Sequence, residues 1–310
     1  MPRKRLGMFG AILLCLLWLV GCGTPKAVEE KSATDHKIVI YTTIYPLADF
    51  AQKIAGDKAI VQNIVPPGTE PHDFEPTPKD IIQLNQAQIF VYNGVGFEGW
   101  VEKVVHSLNN KSLIVVDSSK QVDLLKASSS EQETGNDPHI WLDPNRAKKQ
   151  AQAIKDALVQ ADPTNKEVYE NNFAELAKKF DELDANLSDL SAHAKQKEMV
   201  VSHAAFGYLT HAYGLEEISI AGINPSDEPT QKDLQKIIET AKQHKIKYIL
   251  FETLVSGKVA EVIKNELGAE SLTLNPIESL REEDLAAHKD YFSVMKDNIE
   301  TLKKALDYVK

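Results

Sequence analysis

The chain has 310 residues, with 35 Lys and Arg against 45 Asp and Glu, which gives a formal charge of −10. That length allows two domains with a substantial core, and the acidic balance argues against a nucleic-acid binder, which needs a basic face to neutralise phosphates. Two cysteines, Cys15 and Cys22, are too few for a disulfide scaffold or a cysteine-rich zinc module.

The first 21 residues are typical of a secretory signal peptide. Three basic residues precede an apolar run over residues 6–20, which is shorter than the roughly 20 residues that span a bilayer comfortably. Residues 19–22, Leu-Val-Gly-Cys, resemble a bacterial lipobox, in which cleavage precedes the cysteine and its thiol is acylated. The alternative is a plain signal peptide with a chance cysteine. We expect a signal peptide over 1–21, a lipid anchor on Cys22 and a flexible tether over 22–35.

Short β-branched runs alternate with helical patterns through the rest of the chain. We predict strands over residues 37–43, 59–65, 88–93, 112–117, 198–202, 217–221, 247–252 and 272–275. We predict helices over residues 46–55, 78–86, 97–108, 144–159, 163–193, 204–213, 230–244, 258–267 and 284–308. This alternation indicates an α/β fold, in which mostly parallel sheets are flanked by helices.

The longest helical pattern, over residues 163–193, carries one narrow apolar stripe. A helix of about 30 residues is roughly 45 Å long, which exceeds one small domain. We predict one long rigid helix that links two lobes, and the alternative is a coiled-coil arm. The predicted division is an N-terminal lobe over 36–162, a linking helix over 163–195 and a C-terminal lobe over 196–310.

Four polar residues lie where a ligand of a parallel α/β sheet would bind, beyond the carboxyl ends of strands. They are His72, His139, His203 and Glu278, and His139 follows a polar stretch, residues 127–137, that we predict to be an exposed loop. Three imidazoles and one carboxylate suit tetrahedral Zn²⁺, whereas Mg²⁺, Ca²⁺ and Mn²⁺ prefer oxygen-rich sites. Their wide spacing forms no local metal motif, so hydrogen-bonded structural histidines are the alternative.

Other sites are less well supported by the sequence. The remaining histidines beyond the tether lie on helical patterns and are expected at the surface: His106, His193, His211, His244 and His288. Residues 94–99 match G-x-G-x-x-G after a predicted strand, so a dinucleotide site is an alternative, but nicotinamide cofactors are intracellular and the chain carries a secretory signal.

Four stretches occur together and in order: EPHDFEP at residues 70–76, DPHIWLDP at 137–144, SHAAFGYL at 202–209 and LNPIE at 274–278. In this combination the chain resembles the zinc-type solute-binding lipoproteins of bacterial metal ABC importers, the cluster A-I metal-binding family. The resemblance covers essentially the whole chain after the signal peptide. It implies two α/β lobes bridged by a rigid helix, with the metal in the cleft between them.

The resemblance also implies the metal ligands. The family's imidazole ligands correspond to His72, His139 and His203, and its carboxylate ligand corresponds to Glu278. Manganese-type relatives have a carboxylate at the position of His203, so the resemblance favours zinc. Many zinc-type members carry a histidine-rich loop before the His139 position, whereas residues 127–137 contain no histidine here.

The function implied is high-affinity capture of Zn²⁺ outside the cell and its delivery to a membrane permease driven by an ATPase. We expect a monomer that is not an enzyme and that is anchored by Cys22 to the extracytoplasmic face of the cell membrane. The alternatives are a manganese or iron importer component, a surface adhesin, and a secreted zinc hydrolase with Glu70 or Glu278 as general base.

Overall fold

The computed structural model describes residues 37–127, 135–227, 229–255 and 257–310. The predicted signal peptide and tether, with Cys22, lie outside these residues, as does the middle of the 127–137 loop. None of the helices within the described residues is long and apolar enough to cross a membrane. The predicted lobe boundaries at 162/163 and 195/196 stay predictions.

The first half of the chain forms a four-stranded sheet in which every pairing is parallel. The strand order is β2-β1-β3-β4. The strands are β1 (Ile38–Thr42), β2 (Ala59–Asn63), β3 (Ile89–Tyr92) and β4 (Ile114–Asp117).

The second half forms another parallel four-stranded sheet, and its order, β6-β5-β7-β8, repeats that of the first. The strands are β5 (Glu198–Val201), β6 (Glu216–Ser219), β7 (Tyr248–Phe251) and β8 (Glu270–Thr273). The α/β prediction of two parallel-sheet lobes is therefore confirmed, and the two lobes share one topology that no sequence repeat had revealed.

Helices connect these strands as the sequence pattern predicts. They are α1 (Tyr45–Ala55), α2 (Pro78–Leu84), α3 (Val101–Ser107), α4 (Pro144–Ala161), α5 (Lys166–His193), α6 (Gly207–Tyr213), α7 (Gln231–Gln243), α8 (Lys258–Leu267), α9 (Glu282–Ala286) and α10 (Tyr291–Ala305). Thr77 and Thr230 begin α2 and α7 with capping boxes, in which the threonine hydroxyl accepts from the amide three residues on. Asp143 accepts from Asn145 N–H at the start of α4.

Helix α5 is the predicted linking helix, and its 28 residues span about 42 Å. Its inward face is buried from Tyr169 to Leu190, and it packs against α1, α4 and α10. Its buried residues belong to one continuous apolar core that includes side chains of both lobes. The alternative of a coiled-coil arm is therefore wrong, because the stripe is covered within the molecule.

The predicted closing helix over 284–308 is wrong in one respect, because the structure divides it into α9 and α10. His288 lies between them with a φ of 57°, a left-handed conformation that ends a helix. Asp290 then starts α10, with its carboxylate accepting from Ser293 N–H at 2.8 Å. Local capping therefore overrides the apolar spacing that had suggested one helix.

The linking helix, predicted from residue 163, begins at Lys166 after a short 3₁₀ turn. Two of the helices that follow strands also begin later than predicted. The helix predicted from residue 97 begins at Val101, because residues 94–100 form turns in which Gly94 packs directly against Asp117. The helix predicted from residue 204 begins at Gly207, so His203 lies on a loop and not in the first helical turn.

The aromatic cluster at the middle of α5 predicts a large stability effect. Phe180 is 1% exposed, and its ring centroid lies 5.2 Å from that of Phe50 and 5.1 Å from that of Phe292. We expect Phe180→Ala to lower the free energy of unfolding by about 3–5 kcal/mol, because it leaves a cavity between three helices. Urea unfolding of the metal-free protein measures this. Glu182→Ala on the exposed face of α5 is the matched control, with an expected change within about 0.5 kcal/mol, and equal effects of the two substitutions would contradict the packing argument.

Candidate metal centre

His72 lies on the loop between β2 and α2, and its side chain is 6% exposed. Its backbone N–H donates to Glu70 Oε1 at 3.0 Å. The same loop contacts the second lobe, because Gly68 N–H donates to the carbonyl of Leu280 at 2.9 Å. The backbone at His72 is therefore held by the side chain of Glu70 in the same loop and by a backbone hydrogen bond from this loop to the second lobe.

His139 lies just before a short 3₁₀ turn (Ile140–Leu142), and its side chain is fully buried. Asp137 Oδ1 accepts two hydrogen bonds from it, one from the backbone N–H at 2.9 Å and one from ring Nδ1 at 2.8 Å. Asn93 at the end of β3 donates to the carbonyl of Pro138 at 2.8 Å. With Nδ1 occupied in this way, Nε2 is the nitrogen that faces the site.

His203 follows β5 directly, and its ring is positioned by a second carboxylate. Nδ1 lies 3.0 Å from Glu252 Oε1, which also accepts from the hydroxyl of Ser202 at 3.2 Å. Glu252 is the first residue after β7, the neighbouring strand. Two adjacent strand ends thus provide the histidine and the carboxylate that orients it, and Nε2 is again directed toward the site.

Glu278 is presented by a strained turn after β8. Ile277 has a φ of 63° although it is β-branched and fully buried, which is a rare conformation for such a residue. Its N–H donates to Asn275 Oδ1 at 2.7 Å. The carbonyl of Glu278 accepts a hydrogen bond from Tyr45 N–H, at the start of α1, at 3.0 Å. These two hydrogen bonds hold the turn in its strained conformation.

The four side chains converge on one point. Glu278 Oε1 lies 3.4 Å from His72 Nε2, 3.3 Å from His139 Nε2 and 3.4 Å from His203 Nε2. The Nε2 atoms of His72 and His139 are 3.3 Å apart, and one ligand atom from each of the four residues lies within 4.8 Å of all the others. In a tetrahedral zinc site with bonds of about 2.0–2.1 Å, neighbouring ligand atoms are roughly 3.3–3.4 Å apart.

Three polar atoms at this point are buried without hydrogen-bond partners in the described part of the chain. His203 Nε2 and both oxygens of Glu278 are buried, and among the described residues they have no hydrogen-bond partner. Buried polar atoms normally have partners, because an unpaired one costs free energy. A bound cation would satisfy these atoms together, so the donor set and the spacing both fit a tetrahedral metal ion.

The charges of the site are strongly coupled. Burial alone would lower the pKa of His139, but its contacts with Asp137 and Glu278 raise that pKa to about 9. Burial would also lower the pKa of His203, but its contacts with Glu252 and Glu278 raise that pKa to about 10. Burial would raise the pKa of Glu278, but the facing imidazoles hold it well below its usual range.

Glu70 is a further carboxyl group beside the site. Burial first, and then the neighbouring charge of Glu278, raise its pKa to about 8. Its Oε2 atom is buried and has no hydrogen-bond partner within the described part of the chain. This shift favours the neutral form of Glu70, which reduces the negative charge next to Glu278.

The structure brings together the four residues that strand placement had singled out. The five other histidines expected at the surface are all at least partly exposed, and His244 pairs with Glu198 at 2.8 Å. Sequence reasoning missed Asp137 and Glu252. It assigned Asp137 to an exposed loop, which is wrong because Asp137 is 4% exposed, and it treated Glu252 as the end of a strand, although the same search for polar residues after strands could have found it.

Comparison with known proteins now decides the family. The family model described as ZnuA, zinc-uptake complex component A, periplasmic, matches residues 40–305. This chain belongs to the ZnuA family. The resemblance seen in the four sequence stretches is therefore confirmed over nearly the whole described chain.

Individual members of the ZnuA family support this assignment. The high-affinity zinc uptake system protein ZnuA of Bacillus subtilis is 37% identical over 316 residues, which are 99% of this chain and 99% of that protein. The zinc-binding lipoprotein AdcA of Streptococcus pneumoniae is 38% identical, and the match covers 95% of this chain but only 60% of AdcA. The crystal structure of the Zn(II)-bound ZnuA-like domain of that AdcA is similar with a TM-score of 0.76 at 38% identity, over 87% of this chain and 99% of the domain.

The protonation of the site predicts how metal binding depends on pH. Imidazole binds a metal only when the coordinating nitrogen carries no proton, and the pKa values of His139 and His203 without metal are about 9 and about 10. Zn²⁺ must therefore displace protons at neutral pH, and we expect its apparent affinity to rise from about pH 6 to about pH 8, by up to about tenfold per pH unit for each proton released. Chelator competition at several pH values, together with calorimetry in buffers of different ionisation enthalpy, measures the affinity and the protons released. A pH-independent affinity with no proton release would contradict coordination by these imidazoles.

Proposed function

We propose that this protein captures Zn²⁺ outside the cytoplasm and delivers it to the permease of an ABC importer, which a cytoplasmic ATPase drives. In this proposal the ligands are Nε2 of His72, His139 and His203 and a carboxylate oxygen of Glu278. The observation that carries it is the spacing of these atoms, which is 3.3–3.4 Å for four of their pairs, the edge length of a tetrahedral zinc site. Membership of the ZnuA family supports the role in uptake.

The donor set favours zinc over manganese and iron. Three nitrogen ligands and one oxygen ligand suit a borderline-soft ion in four-coordinate geometry, whereas Mn²⁺ prefers carboxylates, carbonyls and water. His203 is decisive in this respect, because a carboxylate at its position would give a two-nitrogen, two-oxygen set. We therefore propose zinc as the transported ion and expect manganese to bind more weakly.

The site supports binding and not hydrolysis. Catalytic zinc usually has three protein ligands and keeps one position open for water. Here four protein side chains supply the shell, and the side chains of His139, His203 and Glu278 are at most 1% exposed. A substrate would therefore have to displace a buried ligand, and the alternative of a zinc hydrolase receives no support from this geometry.

Zinc titration of the metal-stripped protein tests the proposal. We expect one tightly bound Zn²⁺ per chain, and His203→Ala and Glu278→Ala should each weaken it by more than the roughly 10- to 100-fold that loss of an outer-sphere partner costs. His211→Ala is the matched control, because His211 is an exposed histidine on the helix that follows His203. Competition between Zn²⁺ and Mn²⁺ against a chromophoric chelator measures affinity and selectivity. Zinc binding that is indifferent to both ligand substitutions would contradict the assigned site, and tighter binding of Mn²⁺ would contradict the assigned ion.

We also propose that acylation of Cys22 anchors the protein to the extracytoplasmic face of the cell membrane, where the 22–35 segment acts as a tether for a monomeric domain. The lipobox-like sequence before Cys22 supports this. We expect Cys22→Ser to abolish incorporation of a labelled fatty acid and to release the protein from washed membranes. Cys15→Ser, in the apolar run of the signal peptide, is the matched control and should leave both unchanged. Labelling that persists in Cys22→Ser would contradict the anchor.

A further inference from the structure

The base of the loop before His139 is docked on the other lobe. Lys126 and Asn136 form an antiparallel bridge, and Asp137 N–H donates to the carbonyl of Leu125 at 2.9 Å. Tyr208 on α6 contacts both strands of this base: its hydroxyl donates to the carbonyl of Asp137 at 2.9 Å and accepts from Leu125 N–H at 3.1 Å. The loop that carries Asp137 is thus closed by a side chain from the second lobe.

Tyr208 is buried at this position and surrounded on all sides. It is fully buried and packs in a small apolar cluster with Val122 and Ile140. The guanidinium of Arg146 lies over its ring at 5.2 Å. Because the ring is fixed, its hydroxyl defines where the backbone of Asp137 lies.

The neighbouring residue, Gly207, leaves the space that the carboxylate of Asp137 occupies. A Cβ atom on Gly207 would overlap Asp137 Oδ2, and Glu217 Oε2 would lie 3.8 Å from that atom. Glycine is therefore required because the carboxylate occupies the space of a side chain, and not because of a positive φ. The other oxygen of this carboxylate, Oδ1, is the acceptor for both hydrogen bonds from His139.

These contacts link helix α6, through Asp137, to the proposed metal ligand His139. We propose that Gly207 and Tyr208 are positioning residues for His139, which act through Asp137, so that the affinity for Zn²⁺ depends on the contact between α6 and the base of the loop. The inference rests on the proposed zinc site. It goes beyond that site because residues of α6, in the second lobe, would help to orient His139, a ligand from the first lobe.

His203 provides an internal comparison. Its ring is oriented by Glu252, and both residues follow strands of the second sheet. If a substitution at Gly207 weakens zinc binding through Asp137, the size of its effect should change when Asp137 is replaced but not when Glu252 is replaced. A general loosening of α6 would show no such dependence.

The first experiment measures zinc affinity in single variants of the full protein. We expect Gly207→Ala and Tyr208→Phe each to weaken Zn²⁺ binding about 10- to 100-fold, the usual effect of losing an outer-sphere partner of a metal ligand. Tyr213→Phe removes the hydroxyl that donates to Asp184 at 2.9 Å on the same helix, and Gly99→Ala adds a methyl group where no atom lies within 4 Å. Both controls should bind Zn²⁺ like the unchanged protein, and equal weakening in test and control variants would overturn the inference.

The second experiment separates positioning from a loss of folding. In the Asp137→Ala background, which removes the carboxylate that a Cβ on Gly207 would overlap, Gly207→Ala should add little further loss. In the Glu252→Ala background it should keep its full effect. The d–d absorption of the Co²⁺-loaded protein should also change in Gly207→Ala and remain unchanged in Tyr213→Phe, because it reports ligand geometry. Full additivity with Asp137→Ala, or unaltered spectra and affinities, would overturn the inference. If the unchanged protein bound no Zn²⁺, the proposed function itself would fail, which is a distinct result.

Discussion

Three imidazole rings converge on one buried carboxylate oxygen, Glu278 Oε1, at 3.3–3.4 Å. Such a group of atoms is costly to bury unless positive charge lies among them. Protons on the imidazoles or a metal ion can supply that charge, and the two compete for the same nitrogen atoms. The contacts of Asp137, Glu252 and Ile277 position these atoms, and they therefore decide how well a cation can replace the protons.

Residues that are far apart in the sequence come together because they follow the carboxyl ends of strands in two sheets of the same topology. Each sheet has the same strand order, and the loops at the carboxyl ends of its strands carry ligands, as expected for open parallel sheets. The backbone also contributes, since Tyr45 N–H binds the carbonyl of Glu278 and Gly68 N–H binds that of Leu280. The two lobes also share one apolar core with the long helix α5.

Much of this arrangement could be predicted from the sequence, because hydrophobic periodicity and strand-end placement are local signals. They gave the α/β class, the long helix and the residues His72, His139, His203 and Glu278. The break at His288 could not be predicted from periodicity, because a capping box at Asp290 and a left-handed residue decide it. The buried position of Asp137 could not be predicted for a different reason. Its polar neighbours in the sequence indicate a surface loop, whereas a contact with α6 of the other lobe buries it.

The repeat of topology has a consequence for how the ion leaves. Each lobe supplies two of the four proposed ligands, so tight binding at the proposed site would arise from the high effective concentration of one pair relative to the other. Helix α5, whose inward face is buried from Tyr169 to Leu190, would hold the two pairs close to each other. Metal–ligand distances in protein sites lie within roughly 0.2 Å of their standard values, so a separation of the lobes well beyond that would leave an ion with the two ligands of one lobe. Release of an ion from the proposed site would therefore not need a wide opening of the molecule.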